Sequence, residues 1–359
     1  MKIQTEPVGS IPRPIRLIEG MKAHAAGQMG DKELHGLFED ALRDTVARFE
    51  ETGSPVITDG EQTKPSFATY PIAGWDKLDP AGVVIPFADG HTRQLPKITG
   101  GPFRYQTYAG SYLEKAKQLT SLPVKQAVIA VSALSLLYPP EGVAGYAHEQ
   151  FLADLLNEAE ADIRSCLRGG AYTVQIDFTE ARLALKLDPS GTLLRSFIDL
   201  NNQVLGRFTD NERKKIGVHS CPGGDHDSTH SADIPYADLL PYLFDLNAGN
   251  FYLEYAGEQD KPTVLASIKE NLRPSQTVFL GVTNVLDPRV ETPEEIRETI
   301  LEAASVIPIR QLGTTDDCGF SPFADDVSTA RDIAFAKIKA RIDGTWLAEA
   351  ALSKTTVAL

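Results

Sequence analysis

Short runs of β-branched and other apolar residues alternate with longer amphipathic stretches along most of the chain. This alternation is typical of parallel β-strands joined by α-helices. We predict eight strands, at Glu6–Ser10, Pro55–Asp59, Ala127–Val131, Tyr172–Asp177, Lys215–His219, Phe251–Glu254, Val278–Val282 and Arg310–Thr314. The intervening stretches predict helices at Asp31–Glu51, His148–Arg168, Leu193–Thr209, Tyr236–Asn247, Pro262–Asn271, Pro293–Ser305 and Asp325–Asp343.

Eight such units predict an α/β fold, a (β/α)8 TIM barrel, which usually needs about 250 residues. Because the chain has 359 residues, we interpret residues 1–359 as one barrel domain with an insertion at about 62–122. Within it, residues 83–91 predict a hairpin with Asp89 and Gly90 at the turn. A second insertion, at 222–235, follows strand 5. Both insertions leave the carboxyl ends of strands, where barrel active sites are built.

Composition and charge exclude several classes of function. The net charge of −14 argues against a nucleic-acid partner, which would require a basic surface. No apolar run approaches the roughly 20 residues of a membrane span, so we expect no membrane. Residues 1–7 lack the apolar segment of a signal peptide, and three cysteines cannot form a complete disulfide framework. We therefore expect a cytoplasmic protein with reduced thiols, while a homo-oligomer is left open.

Polar residues collect at the predicted carboxyl ends of the strands. The candidates for substrate contact at these ends are Gly9, Ser10, Asp59, Glu61, Asp177 and Asn284. Three carboxylates at one barrel mouth repel one another unless a cation neutralises them, and a substrate ammonium group is one such cation. Pairing with Arg13, Lys64 or Arg182 is the alternative.

Four further residues predict a metal site. His219 and Cys221 are two residues apart at the end of strand 5, whereas Glu254 and Cys318 follow strands 6 and 8. Imidazole, thiolate and carboxylate groups are the ligands that Zn²⁺ takes in tetrahedral sites. Two thiolates and a carboxylate make the zinc a poor activator of water but a suitable binder of a thiol substrate as its thiolate. The alternative is that these residues are buried core groups.

The loop after strand 5 also contains two histidines, His226 and His230. They belong either to a lid over the mouth or to a solvated loop, and we favour the solvated loop. Cys166 lies in a predicted amphipathic helix, where a small buried thiol is the expected role.

These segments resemble the cobalamin-independent methionine synthase family, specifically its C-terminal catalytic barrel. The resemblance extends from Val8 to about Gly319, and its most specific matches are His219, Cys221, Glu254 and Cys318, which correspond to the family's zinc ligands. It implies that Ser10 and Glu61 hold an amino-acid thiol and that Asp177 binds the amino group of that thiol. Asp177 and Glu61 are therefore the candidate catalytic residues.

The chain departs from the family pattern at the methyl-donor side. Leu286 occupies the position of a His that is thought to donate a proton in folate-dependent members, and residues 131–136 lack the Trp that stacks on the pterin. The resemblance implies zinc-dependent transfer of a methyl or other alkyl group to a small-molecule thiol, most simply homocysteine. The alkyl donor stays open between a folate, a corrinoid and another compound.

Two alternatives remain. Epoxyalkane:coenzyme M transferases use a similar zinc site to open an epoxide, and their sulfonate thiol requires Arg or Lys. A binding barrel with a structural zinc ion is a non-enzymatic interpretation, because closed sites with four protein ligands are often structural.

Overall fold

The sheet at the centre of the fold is parallel, as the alternation of apolar and amphipathic stretches predicts. The computed structural model describes residues 2–357. Its strands are β1 (Gln4–Thr5), β2 (Leu78–Asp79), β3 (Val84–Pro86), β4 (Thr92–Gln94), β5 (Lys97–Ile98), β6 (Gln126–Ile129), β7 (Val174–Asp177), β8 (Ile216–Ser220), β9 (Gly224–Asp225), β10 (Ser228–Thr229), β11 (Asn250–Leu253), β12 (Thr277–Gly281) and β13 (Leu312–Thr315). Across these described strands, seven form one sheet in the order β1-β13-β12-β11-β8-β7-β6.

Helices follow the strands of this sheet and cover its outer face. They are α1 (Ile15–Ala25), α2 (Asp31–Glu51), α3 (Gly110–Lys117), α4 (Val131–Ser135), α5 (His148–Arg168), α6 (Glu180–Leu187), α7 (Thr192–Leu205), α8 (Asp210–Arg213), α9 (Tyr236–Leu243), α10 (Lys261–Asn271), α11 (Pro293–Ala304) and α12 (Arg331–Val357). Short 3-10 turns lie at Tyr70–Ile72 and Ile309–Gln311.

The segment around Ile57 occupies the eighth position of the barrel. Its backbone bonds to the chain before β6, with Ile57 N donating to Pro123 O at 3.0 Å and Lys125 N donating to Ile57 O at 2.8 Å. On its other side, Thr58 Oγ1 donates to Gly9 O at 2.8 Å. The segment thus lies between the chain after β1 and β6, and the predicted (β/α)8 barrel fold is confirmed.

Two of the eight predicted strands differ from the structure. Residues 55–59 are not a regular strand but make an isolated parallel bridge at Ile57, because Pro55 has no amide hydrogen to extend a ladder. The first strand is Gln4–Thr5 and not Glu6–Ser10. Glu6 N still donates to Thr314 O at 3.0 Å. Pro7 has no amide hydrogen for the next bond of the ladder, so the strand ends there. The other six strands shift by at most two residues at either end.

The helices predicted at Asp31–Glu51 and His148–Arg168 are confirmed with these limits, whereas those predicted to end at Thr209 and Asn247 end earlier, at Leu205 and Leu243. The helix α11 begins after a capping box in which Thr292 and Glu295 bond reciprocally to each other's backbone amides. The last predicted helix, Asp325–Asp343, is wrong in its limits, since α12 spans Arg331–Val357. The buried Asp326 accepts hydrogen bonds from Ser328 N and Oγ at 2.9 and 2.7 Å. This turn keeps residues 321–330 as a loop above the barrel.

The insertion at about 62–122 forms a cover and not a second large sheet. Strands β3 and β4 pair antiparallel with Ile85 opposite Arg93, so the predicted hairpin is confirmed. Its tip reaches the loop after β8, where Ala88 N donates to Thr229 O at 2.9 Å. The two insertions predicted from chain length therefore meet above the barrel mouth.

A buried lysine, Lys125, occupies the barrel interior beneath the mouth. Lys125 Nζ donates to Pro7 O at 2.8 Å, lies 3.7 Å from Glu6 Oε2 and sits 3.2 Å from the centre of the Tyr252 ring. Burial lowers the pKa of Lys125 to about 7, and the Glu6 carboxylate opposes that shift. These partners fill the barrel core, so binding chemistry is confined to the mouth.

Among the helices of residues 2–357, none combines the length and the apolar character that crossing a membrane requires.

Candidate active site

Three of the four predicted metal ligands meet at the mouth of the barrel. His219 lies in β8, Cys221 follows that strand directly, and Cys318 follows β13. The imidazole and the two thiols offer donor atoms that all lie within 4.8 Å of one another. The two sulfur atoms are 3.1 Å apart, and all three residues are buried. One nitrogen and two sulfur donors at this spacing fit a soft divalent metal ion.

The His219 ring is oriented by its backbone neighbour on β11. Its Nδ1–H donates to Tyr252 O at 3.0 Å. The other ring nitrogen, Nε2, is buried and has no hydrogen-bond partner among the residues that the structure describes. This contact leaves Nε2 as the ring atom available to a metal ion. Burial lowers the pKa of His219, but the Cys221 sulfur and the Asp177 carboxylate outweigh burial, so the pKa is raised overall.

The fourth predicted ligand, Glu254, lies beside this cluster and is held by a cation. Its Oε2 lies 3.0 Å from Arg182 Nη1, and both side chains are buried. Burial, followed by the charge of Asp317, raises the pKa of Glu254 well above its usual value, while Arg182 opposes the shift. In this arrangement the carboxylate is an ion-pair partner of Arg182, and it does not belong to the group of three atoms that lie within metal-binding distance of one another.

Asp317 connects the strand ends that carry Cys318 and Glu254. Its Oδ1 accepts from Tyr255 N at 2.9 Å and from Ala256 N at 2.8 Å, and its Oδ2 accepts from Gly257 N at 2.6 Å. The turn after β11 is therefore anchored on the residue that precedes Cys318. This contact fixes the distance between the thiol and the Glu254 carboxylate.

The two cysteine thiols share a proton in the absence of a cation. The hydrogen bond from Cys318 holds the pKa of Cys221 well below its ordinary range, and the same contact raises the pKa of Cys318. Metal binding displaces the protons of thiol ligands, so a pair of thiols with one lowered pKa is suited to bind a metal ion.

Small residues allow close packing around the cluster. A Cβ atom at Gly319 would lie 2.1 Å from Ser10 Oγ, so the residue after Cys318 has to be glycine for Ser10 to keep its place. A Cβ atom at Gly223 would lie 1.7 Å from His230 Nε2, and Gly223 also has a φ of +72°. His230 is buried, which corrects the solvated-loop interpretation for this residue: its ring packs edge-on against Phe87 of the insertion.

The predicted acids Asp59 and Glu61 follow the segment around Ile57, whereas Asp177 ends β7 directly beside His219 of β8. Glu61 Oε1 is 2.9 Å from Lys64 Nζ, with both side chains buried, and Lys64 Nζ also donates to Ala127 O at 2.9 Å. Glu61 has a left-handed φ of 56°, which is uncommon for a side chain larger than glycine and occurs most often at functional sites. Asp59 Oδ1 accepts from Glu61 N at 3.0 Å and so stabilises this turn.

Asp177 is the acid nearest to the metal-ligand side. Its Oδ1 accepts from Gln175 Nε2 at 2.7 Å, and the same amide donates to Val8 O at 3.1 Å. Burial, followed by the charge of Glu61, raises the pKa of Asp177 to about 7. A substrate ammonium group between Asp177 and Glu61 would reverse this shift, because a cation favours the charged carboxylate.

A cavity of about 620 Å³ joins the two sides of the mouth, and its volume includes open solvent. Its lining contains Ser10, Glu61, Asp177, His219, Cys221 and Cys318. Gly9 and Asp59 lie behind this lining, whereas Asn284 belongs to the loop after β12, where its Oδ1 accepts from Leu286 N at 3.0 Å. The structure therefore collects six of the ten predicted site residues in one cavity and leaves Gly9, Asp59, Glu254 and Asn284 outside its wall.

The sequence analysis did not identify Phe67, Arg93 and Phe323 as residues of the cavity wall, because they lie in the segments that cover the mouth. Arg93 of β4 lies above the mouth with Phe67 and Phe323. Its Nη2 donates to Asp225 Oδ1 at 3.1 Å and to Asp325 Oδ1 at 2.9 Å, and its guanidinium carbon lies 4.1 Å from the centre of the Phe323 ring. Arg93 thus links the insertion to the loops after β8 and β13.

The fold and this cavity define a class of protein, a (β/α)8 barrel with a candidate thiolate metal centre at its mouth. The family model described as cobalamin-independent synthase, catalytic domain, matches residues 216–332. A methionine synthase from Sulfurisphaera tokodaii is 21% identical over 356 residues, covering 96% of this chain and 91% of the relative. The uncharacterized protein YxjH from Bacillus subtilis is 23% identical over 357 residues, covering 95% and 93%.

Solved structures agree with this fold. A B12-independent methionine synthase from Shewanella sp. W3-18-1, in complex with selenomethionine, superposes with a TM-score of 0.76 at 18% identity and 100% coverage of both chains. A putative vitamin-B12 independent methionine synthase from Listeria monocytogenes gives a TM-score of 0.70 at 21% identity, covering 96% of this chain and 98% of that one. These structures support the fold, while the family model and the curated relatives confirm the predicted resemblance to the cobalamin-independent methionine synthase family.

Proposed function

We propose that the chain transfers a methyl group, or a closely related alkyl group, to homocysteine bound in the mouth of the barrel. The observation that carries this proposal is the single cavity that contains both the His219, Cys221 and Cys318 cluster and the carboxylates Glu61 and Asp177. A thiol and an ammonium group on one small molecule match these two sides. The family resemblance supports the same reaction class.

The metal in this proposal is zinc, held by His219, Cys221 and Cys318 with Glu254 as a fourth, more weakly held ligand. A zinc ion bound there would lower the pKa of a substrate thiol and keep the sulfur nucleophilic. The Glu254 carboxylate is the hardest donor of the four and would be the ligand most easily replaced by a soft sulfur. Arg182 would hold this carboxylate whenever it is not bound to the ion, because the two groups lie 3.0 Å apart.

The remaining residues orient the substrate. Asp177 and Glu61 provide the negative charge that an amino group requires, and Ser10 Oγ borders the same cavity beside Cys318. Phe67 and Phe323 cover the mouth. Exclusion of water by these apolar groups strengthens the electrostatic contacts beneath them.

A sulfonate thiol fits the mouth less well, because the nearby cationic side chains already bind other groups of the protein. Arg13 donates to Glu61 O at 2.7 Å and to Lys64 O at 2.8 Å, Lys64 is paired with Glu61, and Arg182 is paired with Glu254 and Glu258. The epoxide alternative is therefore not favoured. A purely structural zinc is also less suitable, since the ligand cluster borders an open cavity and not a closed core.

Calorimetry of homocysteine binding to the zinc-loaded protein tests the proposal. Measurements in buffers of different ionisation enthalpy should report the release of about one proton near neutral pH, because a thiol with a pKa of about 8.5 becomes a thiolate. Binding without proton release, on protein of verified zinc content, would contradict a role for the metal in thiol activation.

A further inference from the structure

A second cavity adjoins the first and has no assigned role. It encloses about 1110 Å³, including open solvent, and shares with the wall of the first cavity the residues Phe67, Ile85, Arg93, Thr179, His230 and Phe323. Its own wall is mainly apolar and is formed by Ile129, Ala133, Leu134, Leu136 and Leu183. A molecule in this cavity would lie next to the sulfur of a thiol held at the ligand cluster.

One carboxyl group, Glu180, lines this apolar wall. Glu180 follows β7 at the start of α6, and only 6% of its surface is exposed. Its Oε2 atom is buried and has no hydrogen-bond partner within residues 2–357. A buried carboxyl oxygen without a partner is costly, so its presence at a cavity wall indicates that a ligand supplies the missing contact.

Two neighbours determine which oxygen of Glu180 carries its proton. Asn201 Nδ2 donates to Ser132 Oγ at 2.7 Å, which directs the Ser132 hydroxyl hydrogen toward Glu180 Oε1, 2.5 Å away. Oε1 is therefore an acceptor. When the carboxyl group is protonated, we place its hydrogen on Oε2, the oxygen that has no partner within residues 2–357.

Burial keeps a fraction of Glu180 protonated at neutral pH. Burial raises the pKa of Glu180 to about 7, the Asp177 carboxylate contributes in the same direction, and the bond from Ser132 opposes both. The other charged or titratable groups that face the cavity are His230 and the Arg93–Asp325 pair. Burial lowers the pKa of His230 to about 4, so His230 is neutral and is a poor acid.

We propose that Glu180 is the acid that protonates the leaving group of the alkyl donor, and that the second cavity binds this donor. The inference rests on the proposed function. The thiolate sulfur forms a bond to the donor carbon, the bond from that carbon to its leaving atom breaks, and the electron pair stays on the leaving atom. The Oε2 hydrogen of Glu180 then passes to that atom, and the resulting carboxylate regains a proton from solvent.

The same cavity defines the chemical class of donor. Arg93 is the cation in the cavity wall, and its charge is already balanced by Asp225 and Asp325. The donor is therefore a neutral molecule with an apolar body, whose leaving nitrogen or oxygen needs a proton. A polyanionic donor finds no unpaired cation within the wall that the structure describes.

Two small electrophiles separate proton donation from general alkylation. Propylene oxide needs a proton on its oxygen when a thiolate opens it, whereas iodide leaves iodomethane without one. We expect the ratio of the two rates on bound homocysteine to fall about 100-fold or more in Glu180→Ala, the scale of general acid catalysis. In Glu180→Gln the side chain can donate a hydrogen bond but no proton, so the ratio of the two rates should fall to a lesser extent. Glu158→Gln is the matched control, a buried carboxyl outside both cavities, and should keep the wild-type ratio.

The outcomes distinguish this inference from the proposed function. If zinc-loaded wild type does not accelerate the reaction of iodomethane with homocysteine over metal-free protein, the proposed function fails. If it does, but the rate ratio equals that of free homocysteine in solution or is unchanged in Glu180→Ala, the role of Glu180 is refuted. An equal loss with both electrophiles would also refute it, because that result indicates structural damage.

Two further measurements distinguish proton donation by Glu180 from a purely structural role of this residue. Infrared difference spectra between wild type and Glu180→Gln should contain the C=O stretch of a protonated carboxyl group at pH 6 or below, and this band should disappear as the pH rises through about 7. Ser132→Ala removes the bond that stabilises the carboxylate, so the pH at which the band and the rate ratio decline should move upward. A band whose pH dependence is the same with and without the Ser132 hydroxyl would contradict the proposed hydrogen-bond direction.

Discussion

Glu254 Oε2 and Arg182 Nη1 lie 3.0 Å apart at the edge of the metal-ligand cluster. The same guanidinium nitrogen also donates to Glu258 Oε1 at 2.7 Å. The only carboxylate among the predicted ligands is thus held by a fixed cation and lies outside the group of three donor atoms that a metal ion could bind. We infer that this ion pair sets how easily a substrate sulfur replaces the carboxylate.

Replacing Arg182 tests this relationship. Arg182→Met should weaken homocysteine binding about 10- to 100-fold, the range of a charge-assisted hydrogen bond, because the carboxylate loses the partner that stabilises it away from the metal. Calorimetry measures the change, with zinc content and thermal unfolding determined on the same samples. Arg273→Met, which removes an exposed pair with Asp245, should leave the affinity unchanged. Equal affinities in wild type and Arg182→Met would disprove the exchange.

Zinc content tests the cysteine ligands. Wild type should contain one zinc ion per chain, while Cys221→Ser and Cys318→Ser should each lose most of it, because serine oxygen is a harder and less acidic donor than a thiolate. Cys166→Ser is the control, since Cys166 is buried in α5 away from the mouth. The variants should remain folded by circular dichroism, because a barrel of this size has its own core. Full zinc occupancy in both ligand variants would rule out the site.

Two thiols, one with and one without an amino group, test the role of the acidic residues at the mouth. Asp177→Asn should weaken homocysteine binding by about 1.5–3 kcal/mol, the range of hydrogen bonds to charged groups, and should barely affect a thiol of similar size that lacks the amino group. The second thiol controls for damage to the metal site. If both thiols lose affinity equally, Asp177 supports the fold and does not recognise an ammonium group.

The cover over the mouth depends on Arg93. Arg93→Met should speed protease cleavage within residues 222–235 and raise the KM for the thiol several-fold, because the buried Asp225 loses its cation. Limited proteolysis and steady-state kinetics measure the two effects. Lys97→Met removes a more exposed pair with Glu141 and should change neither. Unchanged proteolysis of Arg93→Met would indicate that the loops are held by apolar packing instead.

The sequence determined the barrel because periodicity is a local property. Alternating apolar runs and amphipathic stretches located six strands to within two residues at either end. The capping pattern at Thr292 likewise fixed the start of a helix. Placement of polar residues at strand ends also predicted that His219, Cys221 and Cys318 would converge, since all strands of a parallel barrel end at one face.

Contacts between distant loops could not be predicted in this way. The partners of Glu254, the position of Arg93 and the burial of His230 all depend on how the insertions fold back over the mouth. The unpartnered oxygen of Glu180 became apparent only once Asn201, Ser132 and the cavity wall were brought together. Local sequence determines which face of a strand or helix a side chain occupies. The charges and the solvent around that side chain are set by residues far away in the sequence, as Arg93 is for Asp225. Tertiary structure alone therefore decided which of the polar groups are paired and which are left for a ligand.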